Sequence, residues 1–327
     1  MSEQMIEVDY GARSGASRVI GVVDDRDITV KDRIGYIGGS DAAAIVGVSA
    51  WKTPYQVYLE KVGEKAPDDL SGNERVYWGT VLEELVADEY AKRTESKIRR
   101  VNRLVRHSKY PFLGAHIDRD ILNTDRILEV KTAGSGRDWG EAGTDEIPDH
   151  YLPQVLHYML VTGAVACDVA VLIAGSDFRI YTVERNEEMI AYLLEQELEF
   201  WARVEERDPP EATSPDDAKL AYPLAHEGTV IAERPDYQSA YELTRINTQI
   251  KGLEANADVH KARLMARMGE SGDTLVYGTK KIATWKSQAG RTSVDSKLLK
   301  ANYPEAYEQC KKEGKPHRVF RLSKMEE

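Results

Sequence analysis

A chain of 327 residues can bury a full hydrophobic core, and is long enough for one large domain or a main domain with an appendage. With 42% hydrophobic and 30% charged residues, and no apolar run near the roughly 18 to 20 residues a bilayer helix requires, the composition excludes a helical membrane protein. The formal charge of -11 excludes nucleic-acid binding driven by net charge alone, but not a local basic groove, because phosphate contacts depend on where the cations sit.

Residues 1–32 have little periodicity and read as a flexible lead. Their acidic start, MSEQMIEVDY, lacks the basic-then-apolar pattern of a secretory signal and predicts a cytoplasmic protein. Cys167 and Cys310 lie far apart, form no metal-type pair and predict two free thiols. From 36 to 62 a glycine turn precedes a short helix capped by Ser40 or Asp41, and Thr53-Pro54 opens a second helix. Val76 to Arg93 places Val81, Leu82, Leu85, Val86 and Tyr90 at helical spacing, which predicts a long helix carrying Glu83.

A β-rich stretch follows: Arg99–Val105, Leu113–Leu122 and Arg126–Thr132, with Asn123-Thr124-Asp125 as the turn between the last two. Ala133–Glu146 holds four glycines and reads as a mobile loop. Tyr151–Thr162 returns to helical spacing. Asp168–Ala174 and Phe178–Val183 are short strands, and an amphipathic helix from Glu187 to about Arg207 is stopped by Pro209-Pro210. Residues 33–210 therefore read as a mixed α/β sandwich.

Residues 211–228 read as a linker, and 229–327 as a C-terminal extension. In the extension Leu243, Ile246, Ile250, Leu253, Ala257, His260 and Leu264 alternate in steps of three and four, the spacing of a coiled-coil seam that can face its own chain or another copy. YGTKKIATWKS and RVFRLS are candidate strands flanking a helix near Ser293–Cys310. Two stretches, Lys97–Lys109 and Lys311–Lys324, are rich in cations, as a solvated face or a phosphate contact would be.

One segment, GAHIDRDILNTDRILEVKT, carries the pattern that metal-assisted phosphodiester cleavage needs. Carboxylates hold a divalent cation, which activates water and offsets transition-state charge, while a lysine orients or deprotonates the attacking water. Alternate strand residues share a face, so Glu129 and Lys131 project together and Val130 points into the opposite layer; Asp118, on the adjoining strand, can meet them. An exposed Glu-x-Lys pair is the plain alternative. Trp51, Trp78 and Trp139 are candidates for stacking on a frayed DNA end, with Trp78 read as core and Trp139, in the glycine-rich loop, as the substrate contact.

In order along the chain, RIGYIGGSD, WGTVLEELVADEY, GAHIDRDI, LEVKT and LPQVLHYMLVTG resemble the lambda-exonuclease and YqaJ-type viral recombinase family of alkaline exonucleases. The resemblance spans about 33–205 and implies a PD-(D/E)xK, restriction-endonuclease-like core with a central mixed sheet flanked by helices. It further implies that Asp118, Glu129 and the Val130 carbonyl ligate metal, with Glu83 near a second ion or the lysine, and that Lys131, helped by Gln154, positions the water. Arg33 and Ser40 match residues that hold a 5′-terminal phosphate, as a guanidinium and a hydroxyl near a helix N-terminus can. Relatives commonly carry Ser-Pro-Asp-Gly where this chain has His116-Ile117-Asp118-Arg119, so His116 stands where a phosphate-binding hydroxyl is expected.

The expected activity is a phage-type 5′-to-3′ double-strand DNA exonuclease using Mg²⁺ or Mn²⁺, two ions per site. It acts as a ring-shaped homotrimer and exposes 3′ overhangs for a single-strand annealing protein. Another nuclease of the same superfamily, an endonuclease or a RecB-type single-strand exonuclease, is the nearer alternative; a non-catalytic DNA-end-binding protein is the other.

Overall fold

The computed structural model describes residues 23–24, 33–312, 314 and 317–323. The expected lead over 1–32 lies outside the described residues except for Val23–Asp24, a two-residue strand β1. In chain order there follow β2 (Ile37–Gly38), α1 (Gly39–Ile45), α2 (Pro54–Lys61), α3 (Glu74–Thr94), β3 (Ile98–Arg100), β4 (Arg103–Arg106), β5 (Leu113–Ala115), β6 (Arg119–Ile121) and β7 (Arg126–Ala133). Next come α4 (Leu152–Thr162), β8 (Ala166–Ile173), β9 (Asp177–Glu184), α5 (Glu187–Glu206) and α6 (Pro215–Ala221). These elements fall in the first of two compact units, Met1–Ala221 and Tyr222–Glu327.

The first unit is built on a five-stranded sheet of order β3-β6-β7-β8-β9, in which β7 and β8 are parallel and the other neighbours antiparallel. Parallel neighbours require a crossover, and α4 supplies it. A smaller sheet of order β1-β4-β5-β2 lies beside it in sequence. Strand parity sorts β7 between two cores. Leu128 and Val130 pack with Val86, Ala87 and Tyr90 of α3, while Ile127 joins the larger core that includes residues of α1, α2, α4 and α5. Glu129 and Lys131 share the parity of Ile127. The result is a mixed sheet with helices on both faces and acids at the adjoining antiparallel strands β6 and β7.

Several local features differ from the sequence reading. Thr53 caps α2, accepting the Gln56 N–H at 3.2 Å, but α1 begins earlier than expected. Gly38 is its N-cap, and its N–H donates to Asp41 Oδ2 at 3.0 Å, so Ser40 is an exposed first-turn residue and not the cap. A side chain at Gly39 would meet the Tyr158 ring at 2.4 Å; glycine there lets α1 rest directly on α4. On α3, Val81 and Leu85 are exposed, and Val86, Ala87 and Tyr90 make the buried edge. Tyr90 also donates its hydroxyl to buried Asp168 of β8, which pins α3 to the sheet.

The glycine-rich loop, expected to be mobile, is fastened along its length. Gly140 N–H donates to Glu146 O at 2.9 Å, Gly143 N–H to Ile180 O at 2.8 Å, and Thr182 N–H to Thr144 O at 3.0 Å. The stretch expected as a linker, 211–228, contains α6. Its buried Asp217 accepts from Thr53 Oγ1 at 2.8 Å, Gln56 Nε2 at 3.2 Å and Ser214 N at 3.1 Å.

The second unit holds α7 (Arg234–Met268), the antiparallel hairpin of β10 (Thr274–Tyr277) and β11 (Lys280–Thr284), and two short helices, α8 (Ser296–Asn302) and α9 (Pro304–Cys310). The proline at 304 splits the helix expected near 293–310, and 318–323, expected as a strand, has no regular structure. The seam residues Leu243, Ile246, Ile250, Leu253 and Leu264 are exposed.

Candidate active site

The β6–β7 ladder creates the site by ending early. Its last pair is Arg119↔Leu128, so the N–H of Val130, which points toward the β6 edge, has no strand partner. Asp118, just before β6, fills the gap: its Oδ2 accepts the Val130 N–H at 2.7 Å. The carbonyl of an extended residue points to the same edge as its N–H, which turns Val130 O toward the Asp118 side. Extending the register sets Asp118 opposite Glu129, and opposed residues share a face.

Around Glu129 a hydrogen-bonded cluster closes. Lys131 Nζ donates to Glu129 Oε1 at 2.5 Å and to Gln154 Oε1 at 3.0 Å, while Gln154 Nε2 donates to Glu129 Oε1 at 3.0 Å and lies 2.8 Å from the Tyr158 hydroxyl. Tyr151 lends its ring face to Lys131 Nζ, 4.8 Å from the centroid. The structure brings Asp118, Glu129, Lys131 and Gln154 together, and adds Tyr151 and Tyr158, which the sequence reading missed and whose helical spacing around Gln154 was the available signal.

Electrostatics in the pocket are unfavourable for bare acids. Burial, and then the neighbouring Glu129 carboxylate, raise the Asp118 carboxyl well above the usual carboxylate range. Burial pulls the Lys131 ammonium down, but Glu129 and Asp118 outweigh it and hold it above the ordinary lysine value. The amine therefore sits beside two carboxylates, placed to orient a water or meet anionic charge.

Among the described residues no cluster of three or more His, Cys, Asp or Glu side chains stands ready to hold a metal ion. Glu83, expected near a second ion or the lysine, is engaged by Arg119. Its Oε1 accepts from Arg119 Nη1 at 2.7 Å, while Arg119 Nη2 bonds Glu84 Oε2 at 2.7 Å and Nη1 also donates to Asp118 O at 2.9 Å. Arg119 thus pairs with the helix glutamate expected near a second ion or the lysine. A two-carboxylate site remains. Glu129 Oε2 is buried with no hydrogen-bond partner, beside Asp118 and a strand carbonyl, and a hard divalent cation is what that all-oxygen donor set fits.

Two of the residues expected to hold a terminal phosphate, Arg33 and His116, meet at Tyr36. Its hydroxyl lies 3.1 Å from His116 Nε2, Arg33 acts on it as a hydrogen-bonding cation, and the Arg106 guanidinium carbon sits 5.4 Å from its ring centroid. Ser40 stands on the exposed first turn of α1. Trp139 departs from expectation. It is 8% exposed, packed between Tyr151 and Tyr181 at centroid distances of 5.7 and 5.2 Å, because the fastened loop folds it inward. Trp78, expected in the core, is exposed and donates Nε1–H to Glu74 at 3.0 Å.

A family model described as the YqaJ-like viral recombinase domain matches residues 30–165. The YqaJ protein of Bacillus subtilis (strain 168) is 31% identical over 298 residues, covering 88% of this chain and 91% of that protein. Among solved structures, an alkaline exonuclease from Laribacter hongkongensis is similar, with a TM-score of 0.45, 19% identity, and 55% of this chain and 92% of that chain covered. A phage related exonuclease from Haemophilus somnus 129PT gives 0.39 and 11%, covering 53% and 94%.

Proposed function

Because this chain belongs to the YqaJ-like viral recombinase family, we propose that it is a metal-dependent 5′-to-3′ exonuclease of double-strand DNA that leaves 3′ overhangs for a single-strand annealing protein. The observation that carries the reading is the convergence of Asp118, Glu129 and Lys131 at the open end of the β6–β7 ladder, with a partnerless buried carboxylate oxygen at its centre.

Asp118, Glu129 and the Val130 carbonyl would hold Mg²⁺ or Mn²⁺. When bound, such a cation offsets charge on the phosphoryl group and eases deprotonation of the attacking water. The donors as they stand suit one ion; a second would draw Glu83 away from Arg119. Lys131 positions the water, and Gln154 fixes the lysine by accepting from it while donating to Glu129. Arg33, Tyr36 and His116 form a polar group suited to a 5′-terminal phosphate, with Ser40 on the exposed first turn of α1 as the further residue the family reading assigns, so that a new end is seated after each nucleotide leaves. The family reading also carries a homotrimer encircling the duplex, with an acidic exterior and a basic lining. Light scattering that finds only monomers would remove the ring.

The deciding experiment digests linear duplex labelled on either strand, with and without a 5′ phosphate, in Mg²⁺ or chelator. Expected is chelator-sensitive release of nucleotides from the 5′ strand, lowered by about 10²- to 10⁴-fold in Lys131→Ala. Cleavage of closed circular duplex would move the assignment to an endonuclease, and full activity of Lys131→Ala would refute the site.

A further inference from the structure

A path of aromatic contacts leads from the acid–lysine cluster to the surface. Tyr151, 4.8 Å from Lys131 Nζ, has its centroid 4.1 Å from that of His150, and His150 packs at 4.9 Å and 76° against Trp51. Trp51 is 69% exposed. It is also held in place. Ser49 Oγ accepts from the N–H groups of Trp51 and Lys52, each at 3.2 Å, and Thr53 caps α2 directly after it. A large apolar ring fixed in water by its backbone on one side and a T-shaped ring contact on the other contributes little to the core. It presents open indole surface within a few nucleotides' reach of the cluster.

We propose that Trp51, backed by His150, is a base-stacking platform at the mouth of the site that receives the terminal bases as they unpair. The assignment rests on the nuclease reading above for its place in the reaction, though not for its chemistry. Every base has a π-face, so such a platform is indifferent to sequence, as an enzyme that consumes any duplex end requires. The indole takes over stacking that the base loses on leaving the helix, and the unpaired strand is thereby directed past Tyr151 toward Lys131.

The test compares the full chain with Trp51→Ala and Trp51→Phe. Aromatic stacking is worth roughly five- to a hundred-and-fifty-fold per base. Trp51→Ala is expected to digest a duplex with a fully paired G·C end about ten-fold more slowly, and a duplex with two mismatched terminal pairs less than two-fold more slowly, with Phe restoring most of the loss. Equal slowing on both ends, or on neither, overturns the proposal. A second arm needs no cleavage: in chelator, a frayed end carrying 2-aminopurine should be quenched by the wild-type chain and not by Trp51→Ala. Quenching by both or by neither also overturns it. If the wild-type chain quenches the probe but digests no substrate, the platform stands and the nuclease reading falls; digestion without any effect of Trp51 gives the converse.

Discussion

Replacing Arg119 by Met tests how the site is held. The side chain is 2% exposed and binds Glu83, itself 24% exposed, Glu84 at 63%, and the Asp118 carbonyl. The Glu84 pair is solvated and contributes about 0.5 kcal/mol. The Glu83 pair is charge-assisted and largely buried, worth about 1.5 to 3 kcal/mol, and the carbonyl that loses its donor adds about 1 kcal/mol. Met fills the space of the aliphatic stem and removes the cost of burying a guanidinium, which offsets about a third of this. The net loss is about 2 to 3 kcal/mol, or about 5 to 10 °C in melting temperature for a unit of this size. Calorimetry checks it, with a metal titration of activity beside it. Glu83 is then released toward Asp118, and the metal concentration for half-maximal activity should shift by about ten-fold or more. Unchanged melting and an unchanged titration would refute the assignment of Arg119 as the residue that holds Glu83.

Trp139→Ala should destabilise the first unit by about 3 to 5 kcal/mol, the range for emptying a buried tryptophan site, seen as a lower melting temperature without DNA. A variant that melts normally but binds DNA poorly would return Trp139 to the surface. The pair of His157 and Glu197, both fully buried, predicts a pH effect. His157 Nε2 donates to Gly114 O at 3.0 Å, and Nδ1 lies 2.7 Å from Glu197 Oε1. Burial lowers the imidazolium, but Glu197, the Gly114 carbonyl and Asp41 outweigh it and raise His157 above its ordinary 6.5. A raised folded value means that the stabilisation is complete below 6.5 and is lost as pH rises through the folded value. Melting temperature should therefore fall more steeply above pH 6.5 in the wild-type chain than in His157→Gln; parallel curves would refute the pair's role.

What the sequence made legible was set by local rules. Two-residue parity put Glu129 and Lys131 on one face, Thr53-Pro54 announced a helix start, and paired prolines stopped α5. The errors came where distant chain segments decide. Nothing local says that 133–146 folds back onto β9, so Trp139 was read as a surface contact and Trp78 as core, the reverse of their burial. Arg119 was visible only as a departure from the family pattern, and its grip on two glutamates depends on α3 lying against β6. The seam of α7 has the spacing that predicts a packed stripe, yet spacing cannot name what covers it.

The eight paired positions that tie β7 to β8 make the site sensitive to chain length in a way that substitution does not reveal. One residue inserted between Arg126 and Glu129 would rotate the carboxylate and the amine into the layer now filled by Val86 and Tyr90, and two inserted residues would turn them back. Natural variation in this strand should therefore change its length by even steps, while the loops around it drift without such restraint.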